Sequence, residues 1–300
     1  ADGVANLVQR RIGEALRSRV SDPDPDRRGR EIWGKVGERW FTPGDPIWRV
    51  HQDAAMFPGG IAALLLQSLH PLAMAGVAGH SGYRTDPWGR LRRTADYIAV
   101  TTYGTIPDAT AVIDHVRGVH DRVRGKDNRG RPYRAGDPHL LGWVHAAEIW
   151  AFLHAHQAYG RAPLSDADAD GYVAQAAVPA VLLGVREPPQ SVAALEATLA
   201  CYRDELDTGP DAAETVRYLV RTPPVPWMTR PGYGALVGGG VALLPDYART
   251  ILGLRLPGPA LLVARALGQQ MTRLARWGLA VGEPDRDPPA SADDLDQDRR

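Results

Sequence analysis

Cysteine and lysine are scarce in this sequence, and neither sign of charge is in excess. One of the 300 residues is cysteine, Cys201, which excludes intramolecular disulfides and cysteine-rich zinc sites. Lys35 and Lys126 are the two lysines among 35 basic residues, so most lysine chemistry is excluded. Because 35 acidic residues balance them, the chain lacks the basic footprint of a nucleic-acid-binding protein. We expect no nucleic-acid partner, and Cys201 is predicted to be a core residue.

Long apolar runs are also missing. The most continuous one, Ile61 to Val77, is interrupted by Gln67, Ser68 and His70 and is short for a membrane span. The first residues contain neither the basic nor the apolar region of a signal peptide. We therefore expect no membrane-spanning helix and a cytoplasmic protein.

Alternating strand-like patterns are scarce, whereas helical periodicity covers most of the chain, which predicts an all-α fold. We expect a single multi-helix domain over residues 1–282 and a flexible tail, rich in proline and charge, over 283–300. The glycine-rich segment Arg124–Pro138 is predicted to be a loop, and the glycines at 238–240 are predicted to interrupt a helix. The predicted helices are Val4–Val20, one ending at Trp40, Pro58–Gly79, Trp88–Tyr103, Pro107–Val123, His139–Tyr159, Asp166–Leu183, Ser191–Leu206, Asp211–Val220, Gly234–Leu252 and Gly258–Leu279.

A histidine lies on the apolar face of the predicted Pro107–Val123 helix. On a helical wheel His120 falls among valines and Ile113, whereas His115 lies at the edge of that face. Arg117 and Arg124 flank His120 at i−3 and i+4. An inward imidazole between two guanidinium groups suits a metal centre with two carboxylates, such as haem b. A core histidine beside a solvated basic stripe is the alternative.

The preceding predicted helix carries a line of polar residues. Arg90, Arg93 and Thr94 have i, i+3, i+4 spacing, and Tyr97 and Thr101 continue the line. Polar groups on an inward helix face need partners. A pocket for dioxygen or a polar ligand would supply them, and so would an internal salt-bridge network.

A third pattern, His145-x-x-Glu148, puts a histidine and a carboxylate on one helix, as in di-iron proteins. No second matching pair accompanies it in the sequence. We therefore disfavour a di-iron site.

The motifs His70-Pro71, Arg90-Leu91-Arg92-Arg93-Thr94, Arg117-Gly-Val-His120 and Trp143-Val-His145 occur in this order. Over about residues 45–253 the chain resembles the MpaB and rubber-oxygenase (latex-clearing protein) family, also called DUF2236. The resemblance implies an all-α fold that encloses a pocket for haem b, with His120 as the proximal iron ligand. It also implies that Arg117 and Arg124 pair with the haem propionates, and that Arg90 and Thr94 lie on the distal side.

Two positions depart from the rubber-cleaving branch of that family. Arg93 stands where that branch has a lysine able to ligate the iron, and an arginine stays protonated and cannot ligate. Met74 and its apolar neighbours stand where that branch has a glutamate proposed as a base. These departures predict an open distal iron position and argue against polyisoprene cleavage.

We therefore expect a haem b-dependent oxygenase in which Arg90, Arg93 and Thr94 border the reacting dioxygen and a small apolar substrate. A haem enzyme with other chemistry, such as peroxidation or dehydration, is the first alternative. A helical ligand-binding protein without haem is the second.

Overall fold

We describe a computed structural model, which covers Gln9 and residues 32–80, 87–223 and 225–280. Within these ranges most of the chain is helical and the sheet is a single two-stranded hairpin, which confirms the predicted all-α fold class. The predicted Val4–Val20 helix and the predicted tail lie outside the described residues. The α-helices are α1 (Pro46–His51), α2 (Met56–Gln67), α3 (Pro71–His80), α4 (Pro87–Tyr103), α5 (Ile106–Arg122), α6 (Pro138–Tyr159), α7 (Asp166–Leu183), α8 (Val192–Cys201), α9 (Pro210–Val216), α10 (Arg230–Leu243), α11 (Asp246–Ile251) and α12 (Gly258–Leu279).

Helix α6 forms the centre of the core. Its residues are apolar around most of its circumference and most of them are buried, which is the pattern of a helix enclosed by other helices. Helix α2 packs along it, and α10 packs in turn on α2 and α12. Trp143 on α6 is completely buried and donates a hydrogen bond to the carbonyl of Gln67 at the end of α2 (3.0 Å).

Side-chain caps fix the starts of three helices near the predicted site. The side-chain oxygens of Thr105, Asp137 and Ser165 each accept a backbone N–H from the first turn of α5, α6 and α7. Such caps satisfy donors that have no partner within the helix. Prolines in the first turns of α5 and α6 also favour a helix start at these positions. The predicted starts of these helices are therefore confirmed to within one residue.

Several predicted boundaries are wrong. The segment predicted as one helix over Pro58–Gly79 is two helices, α2 and α3, bent by 108°, because Pro71 disfavours helical geometry at His70. The predicted helix ending at Trp40 is helical at 32 and 33 only, within the described residues. Cys201 is exposed at the end of α8 and is not a core residue.

The glycines at 238–240 lie inside α10 and do not interrupt it. A Cβ on Gly239 would lie 2.9 Å from the Cα of Gly268 on α12. These glycines therefore allow two helix backbones to approach closely, and the helix ends instead just before Pro245.

The predicted loop Arg124–Pro138 contains an antiparallel hairpin of β1 (Arg124–Lys126) and β2 (Pro132–Arg134). The Asp127 side chain, which is buried, organises its turn by accepting hydrogen bonds from the backbone N–H groups of Arg129 and Arg131 (3.0 and 2.7 Å). The hairpin therefore follows directly from the end of α5.

No single helix in the described ranges has the length and hydropathy of a membrane span. The bent pair α2 and α3 meets those criteria only when its two helices are taken together.

Candidate functional site

The two helices predicted to border the ligand pocket, α4 and α5, lie against each other. Helix α5 also packs on α7. Its inward side is apolar, since Ile113 is buried and Val112 and Val116 are half-buried. This region therefore combines an apolar wall on α5 with the polar line on α4.

His120 lies in the last turn of α5 and is half-buried. Its Nδ1 atom is buried and has no hydrogen-bond partner among the described residues. Burial lowers the pKa of His120, and the neighbouring Asp121 carboxylate offsets part of that effect. The imidazole is therefore neutral at pH 7, as metal ligation requires. His115, by contrast, is exposed.

The two arginines predicted to flank His120 have different surroundings. The Arg117 guanidinium donates to the Asp114 carboxylate (2.8 Å) and to the carbonyl of Leu182 on α7 (3.3 Å). Helix α5 ends at Arg122, so Arg124 lies in β1 opposite Arg134. Arg124 therefore does not lie one helical turn from His120, and the prediction that it flanks His120 on the helix is wrong. The pairing of Arg124 with a propionate stays a prediction.

The polar line on α4 runs from an accessible end to an interior end. Arg93 and Thr94 are exposed and Arg90 is half-buried. The Thr94 hydroxyl donates to the Arg90 carbonyl (3.2 Å). One to two turns further along, Tyr97 is half-buried and Thr101 is buried. The inward orientation predicted for the whole line therefore applies to its C-terminal part.

Two residues on α6 also have shifted pKa values, and sequence analysis assigned them only to a disfavoured di-iron pair. Glu148 and His145 lie one turn apart, and both are half-buried. Burial raises the pKa of Glu148 to about 7 and lowers the pKa of His145 to about 4. The Nε2 atom of His145 is buried and has no partner among the described residues. At neutral pH His145 is therefore uncharged, and Glu148 can gain or lose a proton.

The surroundings of Glu148 locate it between α4 and α7. Burial raises the pKa of Tyr97 on α4 and of Tyr172 on α7, and in both cases the Glu148 carboxylate adds to the rise. The Tyr172 hydroxyl lies 3.3 Å from Nε2 of His51, and Nδ1 of His51 lies 2.8 Å from the Thr102 hydroxyl. A polar layer therefore crosses the bundle beside the α4 line.

The Glu148 carboxyl is desolvated strongly enough to raise its pKa, although the residue keeps part of its surface accessible. The sequence signal was a single carboxylate on an otherwise apolar helix, which needs a polar partner when buried.

Comparison with known proteins gives two curated relatives, each 37% identical to this chain over 111 residues. They are the uncharacterized proteins Mb2261 of Mycobacterium bovis and Rv2237 of Mycobacterium tuberculosis. The match covers 36% of this chain and 43% of each relative, so it spans less than half of their length. No solved structure matches the chain significantly.

A family model described as "ER-bound oxygenase mpaB/B'/Rubber oxygenase, catalytic domain" matches residues 48–277. The matched region begins in α1 and ends in α12. It includes the α4 line, His120, and the pair His145 and Glu148. The chain therefore belongs to the MpaB and rubber-oxygenase catalytic-domain family.

Proposed function

We propose that this protein is a haem b-dependent oxygenase that acts on a small apolar substrate, with His120 as the iron ligand. The observation that carries the proposal is a neutral histidine in the last turn of α5, whose buried Nδ1 has no partner among the described residues, in a chain of an oxygenase family. A buried imidazole nitrogen without a partner costs free energy. Binding a group at this imidazole offsets that cost.

The residues fit haem b at its iron through the neutral imidazole of His120. Arg117 and Arg124, which are both exposed, would pair with the two haem propionates. Arg117 would exchange its pairing with Asp114, a surface pair whose side chains are 53% and 55% exposed. Exposed ion pairs stabilise proteins by only about 0–1 kcal/mol, so this exchange costs little.

The haem, when bound, supplies the one-electron chemistry that dioxygen requires. The chain's own residues supply orientation and protons. Arg90 and Thr94 offer a guanidinium and a hydroxyl within one helical turn, which can stabilise negative charge that develops on oxygen. Arg93 keeps its proton and therefore would not ligate a haem iron.

Glu148 is the group that we propose for proton transfer. Its pKa of about 7 suits a group that gives and takes a proton near neutral pH. Its carboxylate contributes to the raised pKa of Tyr97, which lies three residues after Thr94 on α4. We assign it the transfer of a proton to or from the substrate, whereas the apolar side of α5 holds the substrate body.

The first test is the visible spectrum and haem content of purified wild type, His120→Ala and His115→Ala. His115 is an exposed histidine on the same helix, so it is the matched control. We expect the Soret band to be lost in His120→Ala and retained in His115→Ala. Full haem content in both variants would show that His120 is not the ligand.

The second test separates an oxygenase from a haem enzyme with other chemistry. Labelled dioxygen is supplied with a short isoprenoid as probe substrate, and the label is sought in the product. Arg90→Ala and Thr94→Ala should lower oxygen uptake, on the order of 100-fold for loss of one charge-stabilising donor, while haem content is kept. Turnover without label in the product contradicts the oxygenase assignment.

A further inference from the structure

Three side chains of types that can ligate a metal meet at a second place, near the starts of α3 and α6. Nε2 of His70 lies 3.1 Å from one carboxylate oxygen of Glu205, and Nε2 of His139 lies 2.8 Å from the other. The candidate ligand atoms of all three residues lie within 4.8 Å of one another. Within the described ranges this is the one group of three or more such residues at that spacing.

Three separate elements bring these side chains together. His70 directly precedes α3 and is 2% exposed. His139 lies in the first turn of α6, and Glu205 lies in a short 3₁₀ turn, Arg203–Glu205, that follows α8. The side chains of His139 and Glu205 are 54% and 40% exposed. The group therefore has a rigid inner ligand and an outer side that solvent reaches.

Hydrogen bonds outside the group hold these elements in place. The Tyr202 hydroxyl donates to the carbonyl of His139 (2.8 Å), and the Tyr202 ring lies 4.6 Å from the His139 ring. On the other side the Asp207 N–H donates to the carbonyl of Leu69, next to His70 (2.9 Å). Ligands supported in this way are pre-organised for a metal ion.

We propose that His70, His139 and Glu205 form a binding site for a divalent transition-metal ion, with Zn²⁺ as the ion that suits this donor set best. Two imidazoles and one carboxylate are ligands that Zn²⁺ accepts, and a fourth position left to water completes a tetrahedron. Donors about 2.0–2.1 Å from a tetrahedral ion lie roughly 3.3 Å from each other. The hydrogen-bonded donor pairs need to separate by only a few tenths of an ångström.

The alternative is that Glu205 merely links two histidines by hydrogen bonds. In that arrangement Nδ1 of His70 accepts the N–H of Ala73 (3.4 Å), so the ring proton is on Nε2 and points to Glu205. A metal ion at Nε2 requires that proton to move to Nδ1, and the contact with Ala73 then breaks. Metal binding therefore has a local signature at Ala73 that the simple hydrogen-bonded link lacks.

The test is zinc titration of the full chain, freed of any affinity tag, by competition with a chromophoric chelator. We expect one equivalent of Zn²⁺ to bind to wild type. Glu205→Gln and His139→Asn should weaken binding by more than about 100-fold, since loss of indirect supports of metal sites already costs roughly 10–100-fold. His154→Ala is the control, because His154 lies on α6 outside the group, near Glu196.

The amide resonance of Ala73 provides a second readout, and it should shift on zinc addition to wild type and not to His139→Asn. His139 is exposed, so its variant remains folded even if Glu205→Gln does not. Equal zinc affinity in wild type and His139→Asn, or no zinc-dependent shift at Ala73, overturns the proposal. The site does not depend on the proposed haem chemistry, and His120→Ala should keep its zinc affinity.

Discussion

The replacement Glu148→Gln should stabilise the protein at alkaline pH. Glutamine has nearly the same shape as glutamate and carries no charge. Burial raises the pKa of Glu148 from 4.5 to about 7, so ionising this side chain in the fold is unfavourable. At 1.36 kcal/mol for each pKa unit, the rise corresponds to about 3 kcal/mol.

The direction of the pH dependence follows from the two pKa values. Because the folded-state pKa is the higher one, the contribution of the protonated carboxyl is fully present below pH 4.5 and is lost as the pH rises through about 7. Glu148→Gln should therefore match wild type near pH 4.5 and exceed its free energy of unfolding by up to about 3 kcal/mol at pH 8. His145, with a pKa of about 4, is mostly neutral over this range in the wild-type fold.

The measurement is urea unfolding of wild type and Glu148→Gln at several pH values between 4.5 and 8, with equal haem content. Other groups titrate in both proteins, so they cancel in the difference between them. Glu196→Gln is the control, because Glu196 has a half-exposed side chain, and its difference from wild type should stay within about 0.5 kcal/mol. A Glu148→Gln difference that is the same at pH 4.5 and pH 8 refutes the reasoning.

Two further predictions concern contacts of α12 with other parts of the helix bundle. Gly239→Ala should destabilise the fold by about 1–3 kcal/mol in urea unfolding, because its Cβ would lie 2.9 Å from the backbone of Gly268. Gly234→Ala on the same helix, with no atom within 4 Å, is the control and should be neutral or stabilising; equal losses in both variants would contradict the packing argument. Asp53→Asn should cost about 3–5 kcal/mol, because it leaves the largely buried Arg276 guanidinium, 2.7 Å away, without its carboxylate. The melting temperature of Asp53→Asn measures this cost. A fall that corresponds to less than about 1 kcal/mol, the value typical of exposed ion pairs, would contradict the prediction.

The sequence predicts the fold well where local signals decide the structure. Thr105, Asp137 and Ser165 cap the starts of three helices whose predicted first residues are right to within one position, and the predicted bounds of α7 and α12 are the observed ones. These signals act within one helical turn, so they can be read without knowing the tertiary structure.

The errors occur where tertiary contacts decide. The glycines at 238–240 mark a helix contact, because their partner Gly268 lies on another helix. The hairpin after α5 depends on the buried Asp127, and it removes Arg124 from the helix on which its predicted position was based. Local propensity is weak in such cases, because packing outweighs it.

In the candidate site, too, local sequence signals indicate some residues and tertiary contacts indicate others. The half-buried position of His120 was predictable, because one polar residue on an apolar helix face stands out from its periodicity, and its role as a ligand stays a prediction. Glu148 is the one carboxylate of α6, but its role was harder to predict, because α6 is apolar on nearly every side and no face marks one position as special. What identifies Glu148 is the proximity of Tyr97 and Tyr172, which come from helices distant in sequence.

Helix α6 also sets how far the two proposed sites can influence each other. His139 and Glu148 are nine residues apart on one straight run of helix, which corresponds to about 13 Å at 1.5 Å per residue. Salt screens a desolvated group such as Glu148 only weakly, and two unit charges at that separation interact by roughly 1 kcal/mol at an effective dielectric constant of 20. A metal ion at His139, partly neutralised by the carboxylate of Glu205, therefore favours the ionised form of Glu148 by an energy on the order of 1 kcal/mol. Coupling between zinc binding and haem content through movement of α6 is opposed by the Tyr202 and Trp143 hydrogen bonds that hold its first turns.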